Sequence, residues 1–456
     1  KEFERSGRCC IALARSLHTQ LTAAMESAQQ HHVFAFIFPM ASGHINPSLP
    51  VARALASLGH EVHYLCREQM REAIEDTGAA FHSDIEVETE LYEGRAPDIF
   101  GAMESLRKEF GLGGDSVSIL EFMVKLKNVQ LELMLPGVIR WLRDLRATAV
   151  MYCPLMNPEA PCAAEVLGIP SVALLTTAGP GSCPQSFDEV ISMCGGSREE
   201  VLEMCLSFQP KLEATRRMND RYGLGISDTE MFEPFGKLAV LSSSAVTLVT
   251  TCEDLQDPMS EELAAYYAAA GVKFETVGPL LDVEGARRAA GHKFDARSTD
   301  GTRLDANPSD ESEIVARVHA ARATGRKVVA VSMGTVITGD SPEVGWDARP
   351  MGPGGVRRGL TGRELCRAAW AGAFDAFGAE DAEAGPLLVV ALGPQPDALG
   401  EVRPPANAIC RPSIPQVDVL KAGVDLFLTH GGQNSFTESL ASGAPVVVCP
   451  GFADQP

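Results

Sequence analysis

The sequence has little of what nucleic-acid-binding and membrane proteins need. Lys and Arg together number 39 against 60 Asp and Glu, which gives a net charge of −21. This excess of acid excludes the basic surface that binds phosphate backbones, and it disfavours docking on anionic membranes. No apolar run approaches the roughly 18 residues that span a bilayer. We therefore expect no nucleic-acid partner, no integral membrane segment and a cytoplasmic protein.

Patterns for zinc and for disulfides are also missing. The 12 cysteines include no CxxC motifs paired at zinc-binding spacing, and Cys66 and Cys449 lie in apolar segments. In a chain of this size, free thiols in a reducing compartment are the expected state. We expect no metal and no resident cofactor.

What the chain does have is a regular alternation of strand and helix patterns. The apolar run HHVFAFIFP is typical of a parallel strand buried on both faces. In PSLPVARALASLG, Leu49, Ala52, Leu55 and Leu58 recur at helical spacing, and EVHYLC predicts the next strand. This order is a βαβ unit, which normally belongs to a parallel sheet.

A polar stretch divides two such series. Residues 282–312 are poor in large apolar groups and predict a linker. After it come a helix near 313–323, a long helix near 363–377 and apolar strands such as KVVAVSMGT and PLLVVALG. We predict an α/β fold of two doubly wound parallel-sheet domains of the Rossmann type, which face each other across a cleft. The Gly- and Pro-rich stretch 338–362 predicts a mobile surface loop.

The domain boundaries follow from these patterns. We predict an N-terminal extension over residues 1–30. Residues 1–24 precede Met25, which resembles a natural cytosolic start that leads directly into the first strand. The first domain covers 31–281, and the second covers 313–456.

The turn after the strand DLFLTH favours an anion site. His430 and Gly432 lie in this turn, and a helix is predicted from about Asn434 to Ser442. Free amides at a helix N-terminus attract anions, and glycine lets a ligand approach the backbone, so the turn suits a diphosphate. Locally, an alternative is stronger: Ser435 and Glu438 fit the S-x-x-E capping box and could serve only the helix. The segment lacks GxGxxG, which disfavours a dinucleotide.

Two further turns carry candidate chemistry. Ser332, Gly334 and Thr335 follow the strand VVAVS and make a second phosphate-compatible turn. His44 follows the first strand and precedes a helix, where a histidine is suited to act as a general base. A solvent-facing or capping histidine is an equally good interpretation of His44.

Together these features resemble the family 1 UDP-dependent glycosyltransferases. The resemblance rests on FPMASGHINPSLPVARALASLGHEV, TLVTTCEDLQDP, ETVGPLL and VVAVSMGT. It is most specific in IPQVDVLKAGVDLFLTHGGQNSFTESLASGAPVVVCPGFADQP. It implies the GT-B fold, with an acceptor-binding N-terminal domain and a nucleotide-sugar-binding C-terminal domain, which we expect to be incomplete here because family members continue past Asp-Gln. We therefore expect a truncated terminus and an unstable or inactive fragment.

The resemblance also implies a role for each matching residue. His44 corresponds to the base that deprotonates the acceptor hydroxyl, and Cys153 stands where the family commonly has an aspartate that orients this base. The donor-binding positions are Ser332, Thr335, Ile414, Gln416, His430, Gly432, Asn434, Ser435, Glu438, Asp454 and Gln455. Among them Glu438 would bind the ribose, and Asp454 with Gln455 would read the sugar hydroxyls.

The sequence departs from the family pattern at two positions. Ser413 stands where family members often have a tryptophan that stacks on uracil. Its absence weakens base stacking, so the donor nucleotide could be UDP or another. A neutral thiol at Cys153 cannot stabilise an imidazolium as a carboxylate does, so activity could be lower, unless Glu159 or another acid substitutes.

The expected function is inverting, metal-independent transfer from a nucleotide sugar, with UDP-glucose as the first choice, to a hydroxyl of a small lipophilic acceptor by a monomeric enzyme. The nucleotide sugar is a co-substrate. Alternatives are a catalytically impaired protein that binds nucleotide sugar or lipid, and a nucleotide-sugar epimerase of the same fold. The acceptor segment near 83–235 contains no readable motif.

Overall fold

The computed structural model describes residues 31–98, 100–112, 119–229, 231–281, 308–340, 345–349, 351–352, 356–357 and 359–451. The predicted N-terminal extension, most of the predicted linker, and Asp454 with Gln455 lie outside these ranges. The two predicted α/β domains are confirmed, each built on a parallel sheet of its own.

The N-terminal domain contains a seven-stranded parallel sheet of order β3-β2-β1-β4-β5-β6-β7. Its strands are β1 Val33–Ile37, β2 Glu61–Cys66, β3 Ala80–Ser83, β4 Ala149–Tyr152, β5 Ser171–Leu175, β6 Val246–Val249 and β7 Phe274–Thr276. Its α-helices are Ser42–Ile45, Leu49–Ser57, Arg71–Glu75, Asp84–Val87, Thr89–Tyr92, Met103–Glu109, Ile119–Leu145, Glu159–Leu167, Cys183–Met193, Arg198–Ser207, Gln209–Tyr222 and Glu261–Ala269.

The C-terminal domain contains a five-stranded parallel sheet of order β12-β11-β8-β13-β14, in strands that the apolar runs predicted. These strands are β8 Val328–Ser332, β11 Leu387–Ala391, β12 Ala408–Arg411, β13 Leu426–Thr429 and β14 Val446–Val448, and a separate antiparallel pair is formed by β9 Met351–Gly352 and β10 Val356–Arg357. The α-helices are Pro308–Ala323, Gly362–Phe377, Gln416–Gly423 and Gln433–Ala441.

Each sheet has a point where the strand order reverses, and ligands of doubly wound folds bind beyond the carboxyl ends of strands at that point. In the first sheet it lies between β1 and β4, and in the second between β8 and β13. Both reversal points open onto one cavity of about 1830 Å³, which is lined by residues of both domains. The topology therefore positions a single site in the predicted cleft.

The structure confirms the helix predicted in PSLPVARALASLG and differs from three local predictions in detail. His44, which was predicted to lie in a turn, lies within a short helix, Ser42–Ile45. The predicted helix, Leu49–Ser57, follows after a 3₁₀ turn, because Pro47 and Pro50 leave backbone carbonyls without N–H partners. Leu58 is 69% exposed, beyond the end of the helix. The stretch 338–362 is not simply a surface loop, since Trp346 is buried against Trp370 with ring centroids 6.1 Å apart. The helix predicted from 313 begins at Pro308.

No helix among the described residues is long and apolar enough to cross a membrane. The ten described cysteines are free thiols, as their apolar surroundings predicted.

Candidate active site

The predicted base lies where three neighbouring strands of the first sheet end. His44 is in the short helix after β1, Cys153 directly follows β4, and Thr176 directly follows β5. The Cys153 Sγ atom is 3.3 Å from His44 Nδ1, and the Thr176 Oγ1 atom is 3.4 Å from the same nitrogen. The sequence thus predicted the neighbour Cys153 and missed Thr176. Thr176 directly follows β5, the strand beside β4, and this position could have indicated that it lies near His44.

The surroundings of His44 disfavour its charged form. The ring lines the cleft but protein encloses most of it, and this desolvation lowers the pKa of His44 to about 4. Burial raises the pKa of the Cys153 thiol to about 12, so the sulfur stays neutral. At neutral pH the imidazole is therefore uncharged and free to accept a proton, but among the described residues no carboxylate hydrogen-bonds to it to stabilise the resulting cation.

The predicted substitute for a missing carboxylate does not reach the base. Glu159 is fully buried at the start of the helix Glu159–Leu167, and its Oε1 atom accepts a hydrogen bond of 2.8 Å from Asn157 Nδ2. Burial raises the pKa of Glu159 to about 7. Glu159 is near enough for its charge to raise the pKa of Cys153, but it makes no hydrogen bond to His44 among the described contacts.

In the second sheet the two predicted phosphate turns meet around one ring. Ser332 ends β8 and His430 follows β13, and these strands are adjacent. The His430 imidazole hydrogen-bonds to the backbone at Ser332, and burial lowers its pKa to about 4. A Cβ atom at Gly334 would lie 2.3 Å from this ring, and one at Gly432 would lie 2.5 Å from it. Both turns need glycine because the ring occupies the space a side chain would take.

The helix Gln433–Ala441 presents its N-terminus to the cavity. Gly432 is its N-cap and contributes no side-chain cap, and Gly432, Asn434 and Ser435 all line the cavity. The capping-box interpretation of Ser435 and Glu438 is wrong, since the helix begins two residues before Ser435. Four helix N–H groups lack intrahelical partners at such an end, which makes it suitable for an anion.

The predicted ribose residue and the predicted base-binding residue contact each other. Gln416 Nε2 donates to Glu438 Oε2 at 2.7 Å and to Ser435 Oγ at 3.1 Å. Ile414 also lines the cavity, and its carbonyl accepts from the Gln416 backbone N–H at 2.8 Å. Thr335 lines the same cavity. The described donor positions therefore line one cavity, although only the two turns were predicted from local patterns and the other positions by correspondence with the family.

The Asn434 side chain joins the two halves of the site through the Ser42 and Gly43 carbonyls. Asn434 Nδ2 donates to the Gly43 carbonyl at 3.2 Å, next to His44. The predicted diphosphate helix thus contacts, across the cleft, the backbone of the residue that precedes the predicted base. This arrangement puts the surroundings of His44 close to the N-terminus of the helix Gln433–Ala441.

Two facing Rossmann-type domains with a cavity across their cleft have the arrangement of the GT-B fold. Residues 387–456 match the family model described as "UDP-glucoronosyl and UDP-glucosyl transferase". This match and the relatives below support a place among the family 1 UDP-dependent glycosyltransferases.

Two similar curated proteins are bacterial. The "Uncharacterized UDP-glucosyltransferase YdhE" of Bacillus subtilis is 23% identical over 92% of this chain and 80% of its own length. The "NDP-glycosyltransferase YjiC" of Bacillus licheniformis is 23% identical over 93% of this chain and 81% of its own length. Identity is higher locally, with 43% over 60 residues shared with the Bacillus subtilis YjiC.

Solved structures support the same fold. The alignment with the calicheamicin glycosyltransferase CalG4 covers 92% of this chain and 80% of that protein, with a TM-score of 0.52 and 18% identity. The alignment with the kitacinnamycin glycotransferase covers 94% of this chain and 82% of that protein, with a TM-score of 0.51 and 21% identity. Together the comparisons support glycosyl transfer from a nucleotide sugar.

Proposed function

We propose that this chain transfers a hexose, first of all glucose from UDP-glucose, to a hydroxyl of a small lipophilic acceptor with inversion at the anomeric carbon. The observation that carries the proposal is the contact between the two halves of the site. Asn434 bonds to the Gly43 carbonyl, which brings His44 next to the helix that would hold the diphosphate.

In this proposal His44 accepts the acceptor proton at Nε2, because Nδ1 faces Cys153 and Thr176. The acceptor oxygen then attacks the anomeric carbon in line with the leaving group. The bond from that carbon to the phosphate oxygen breaks, and UDP leaves with the electron pair. Attack opposite the leaving group inverts the configuration.

The leaving diphosphate would gain negative charge at the N-terminus of Gln433–Ala441. Backbone N–H groups there, the Asn434 and Ser435 side chains and the adjacent Thr335 can donate to it. These donors support a departure step that needs no metal ion. In the proposal Glu438 binds the ribose, and Asp454 and Gln455 bind the sugar.

The acceptor would occupy the apolar side of the cavity. The long helix Ile119–Leu145 lines it with Leu120, Val124, Leu131 and Met134, while other residues of the same helix pack in the core. Such a wall suits a lipophilic molecule with one hydroxyl near His44.

The test is an acceptor screen. The chain is incubated with UDP-glucose and a panel of phenols and hydrophobic alcohols, with and without EDTA, and the anomeric configuration of each product is read by NMR. A β-glucoside formed equally well with EDTA supports the proposal. An α-glucoside, strict dependence on added metal, or epimerised sugar nucleotide formed without acceptor contradicts it.

A second candidate function rests on Cys153. Because His44 hydrogen-bonds to no carboxylate in the part of the chain that the structure describes, a protein that binds nucleotide sugar but turns it over very slowly is also compatible with the site. UDP-glucose binding without product from any acceptor would favour this alternative.

A further inference from the structure

A hydrogen-bonded pair in the acceptor half of the cavity has two acceptor atoms without donors. Asn157 Nδ2 donates to Glu159 Oε1 at 2.8 Å. The outer atoms of the pair, Asn157 Oδ1 and Glu159 Oε2, are buried and have no hydrogen-bond partner among the described residues. Both residues lie in the wall of the cavity. Buried polar atoms are nearly always paired, so two orphan acceptors side by side indicate a missing donor.

A second acid lies close by. Glu88 is 2% exposed in the same wall, and Glu159 is among the causes that raise its pKa, after burial itself. Glu88 follows the helix Asp84–Val87, so the two acids come from distant parts of the chain. Two buried carboxyl groups at one place are costly unless a cation or shared protons compensate them.

The cations nearby are engaged elsewhere. Arg67 donates to Asp84 at 2.5 Å and to the Tyr92 hydroxyl at 2.7 Å, so its charge is paired with a third acid. Lys127 lines the same cavity, and its charge acts on Cys162. The charge of Arg67 also acts on Glu88, but its hydrogen bonds in the described part of the chain go to Asp84, Tyr92 and the Gly101 carbonyl rather than to Glu88 or Glu159.

We propose that Asn157 and Glu159, with Glu88 beside them, form a subsite for a protonated amine on the acceptor. An ammonium group has three donors and no acceptor, so it can satisfy both orphan oxygens and supply the missing positive charge. A neutral hydroxyl would supply one donor and no charge. Glu159 has no exposed surface, so the amine reaches it through the Asn157 side of the wall, which is 9% exposed.

The subsite also lies within reach of the base. The Asn157 backbone N–H donates to the Cys153 carbonyl at 3.0 Å, and the Cys153 Sγ atom is 3.3 Å from His44 Nδ1. A small molecule can therefore place an ammonium group at Asn157 and Glu159 while its hydroxyl lies at His44. This specificity rests on the proposed function, because the molecule that carries the amine is the glycosyl acceptor.

The test compares two ligands of nearly the same shape. Tyramine carries a phenol hydroxyl and an ammonium group, and 4-propylphenol replaces the ammonium with a methyl group. Their affinities for the UDP-loaded protein are measured by calorimetry at pH 7.5. We expect tyramine to bind at least about tenfold more tightly, as a charge-assisted hydrogen bond predicts. Equal binding, or tighter binding of 4-propylphenol, overturns the proposal.

Variants test whether a preference for tyramine over 4-propylphenol depends on the pair Asn157 and Glu159. In Glu159→Gln the preference for tyramine should fall at least about fivefold, while UDP binding stays unchanged. Glu165→Gln is the matched control: this exposed acid lies on the same helix and already accepts from Ser243 at 2.7 Å, so the preference should persist. A preference that survives Glu159→Gln contradicts the assignment.

If Glu159→Gln fails to fold, as judged by lost UDP binding, Glu88→Gln replaces it. The preference should then fall at least about threefold, and an unchanged preference overturns the proposal. The proposed function is read separately, from UDP binding and from glucosylation of 4-propylphenol. Turnover of both phenols without a preference would therefore contradict only the amine subsite.

Discussion

The two halves of the cleft differ in how the chain supplies their residues. On the donor side, His430, Gly432, Asn434, Ser435 and Glu438 lie within one turn and one short helix. On the acceptor side, Cys153 and Thr176 meet His44 from 109 and 132 residues away. A contiguous motif is visible in a sequence, whereas a site assembled by tertiary packing is visible only once the strand order is known.

The largest difference between the acceptor and donor halves is expected for a substitution of His44. His44→Ala should lower the glucosylation rate by about 10²–10⁴-fold, because it removes the proposed general base, while UDP affinity changes little. Turnover is measured with a saturating phenol acceptor, and UDP binding by calorimetry. The control is His319→Ala, an exposed histidine on the helix Pro308–Ala323. Undiminished turnover in His44→Ala would remove the base from the proposal.

The donor half is tested at Glu438. Glu438→Ala should weaken UDP binding by about 10- to 100-fold, because a carboxylate that accepts from ribose hydroxyls makes charge-assisted hydrogen bonds. The KM for the acceptor should stay the same, since Glu438 lies on the donor wall. Exposed Glu401 provides the matched control, Glu401→Gln. An unchanged UDP affinity would show that Glu438 serves only to hold Gln416.

A substitution at Cys153 tests the acceptor half in the opposite way, because we expect it to raise the activity and not to lower it. Cys153→Asp should raise kcat at pH 7.5 by at least about tenfold, because a carboxylate at Nδ1 fixes the tautomer and stabilises the imidazolium. The sulfur is 3.3 Å from that nitrogen, so the replacement group has the required reach.

Cys153→Ser is the matched variant, because it alters the atom without adding charge. Its kcat should stay near that of the natural protein. Thermal unfolding of both variants checks that the buried change is tolerated. A Cys153→Asp enzyme no faster than Cys153→Ser would show that the missing carboxylate does not limit the reaction.

The fold could be predicted from the sequence because its evidence is local. Apolar runs marked the strands of both sheets, and the polar stretch from 282 separated them. The turns at Ser332 and His430 were predicted as phosphate turns. The packing of the His430 ring against Gly334 was not predicted. That contact depends on β8 and β13 being neighbours, which the order of elements along the chain does not state.

Physical competition explains what the sequence could not predict. Ser435 and Glu438 satisfy the spacing of a capping box, but the helix begins at Gln433, which leaves both side chains to Gln416. Trp346 lies in a stretch rich in glycine and proline, yet its large apolar surface is buried against Trp370. In both cases a tertiary partner decided the outcome over the local pattern.

The smallest expected effect concerns the stability of the acceptor half. Burial raises the pKa of Glu159 to about 7 from an ordinary value of 4.5. Between these two values the folded protein keeps a proton that the unfolded chain releases, so the Glu159 contribution to stability falls as the pH rises through this window. Glu159→Gln removes this dependence.

The free energy of unfolding of Glu159→Gln relative to the natural protein should therefore increase between pH 5 and pH 8, by no more than about 3 kcal/mol. His44 and His430 have pKa values lowered to about 4, so their contributions rise with pH over 4 to 6.5. Both histidines are present in each protein, and their effects cancel in the difference. Denaturant titrations at both pH values measure it, with Glu165→Gln as the control. A difference that does not change with pH would mean that Glu159 is already ionised in the folded protein at pH 5, and the acceptor half would then hold a full negative charge throughout.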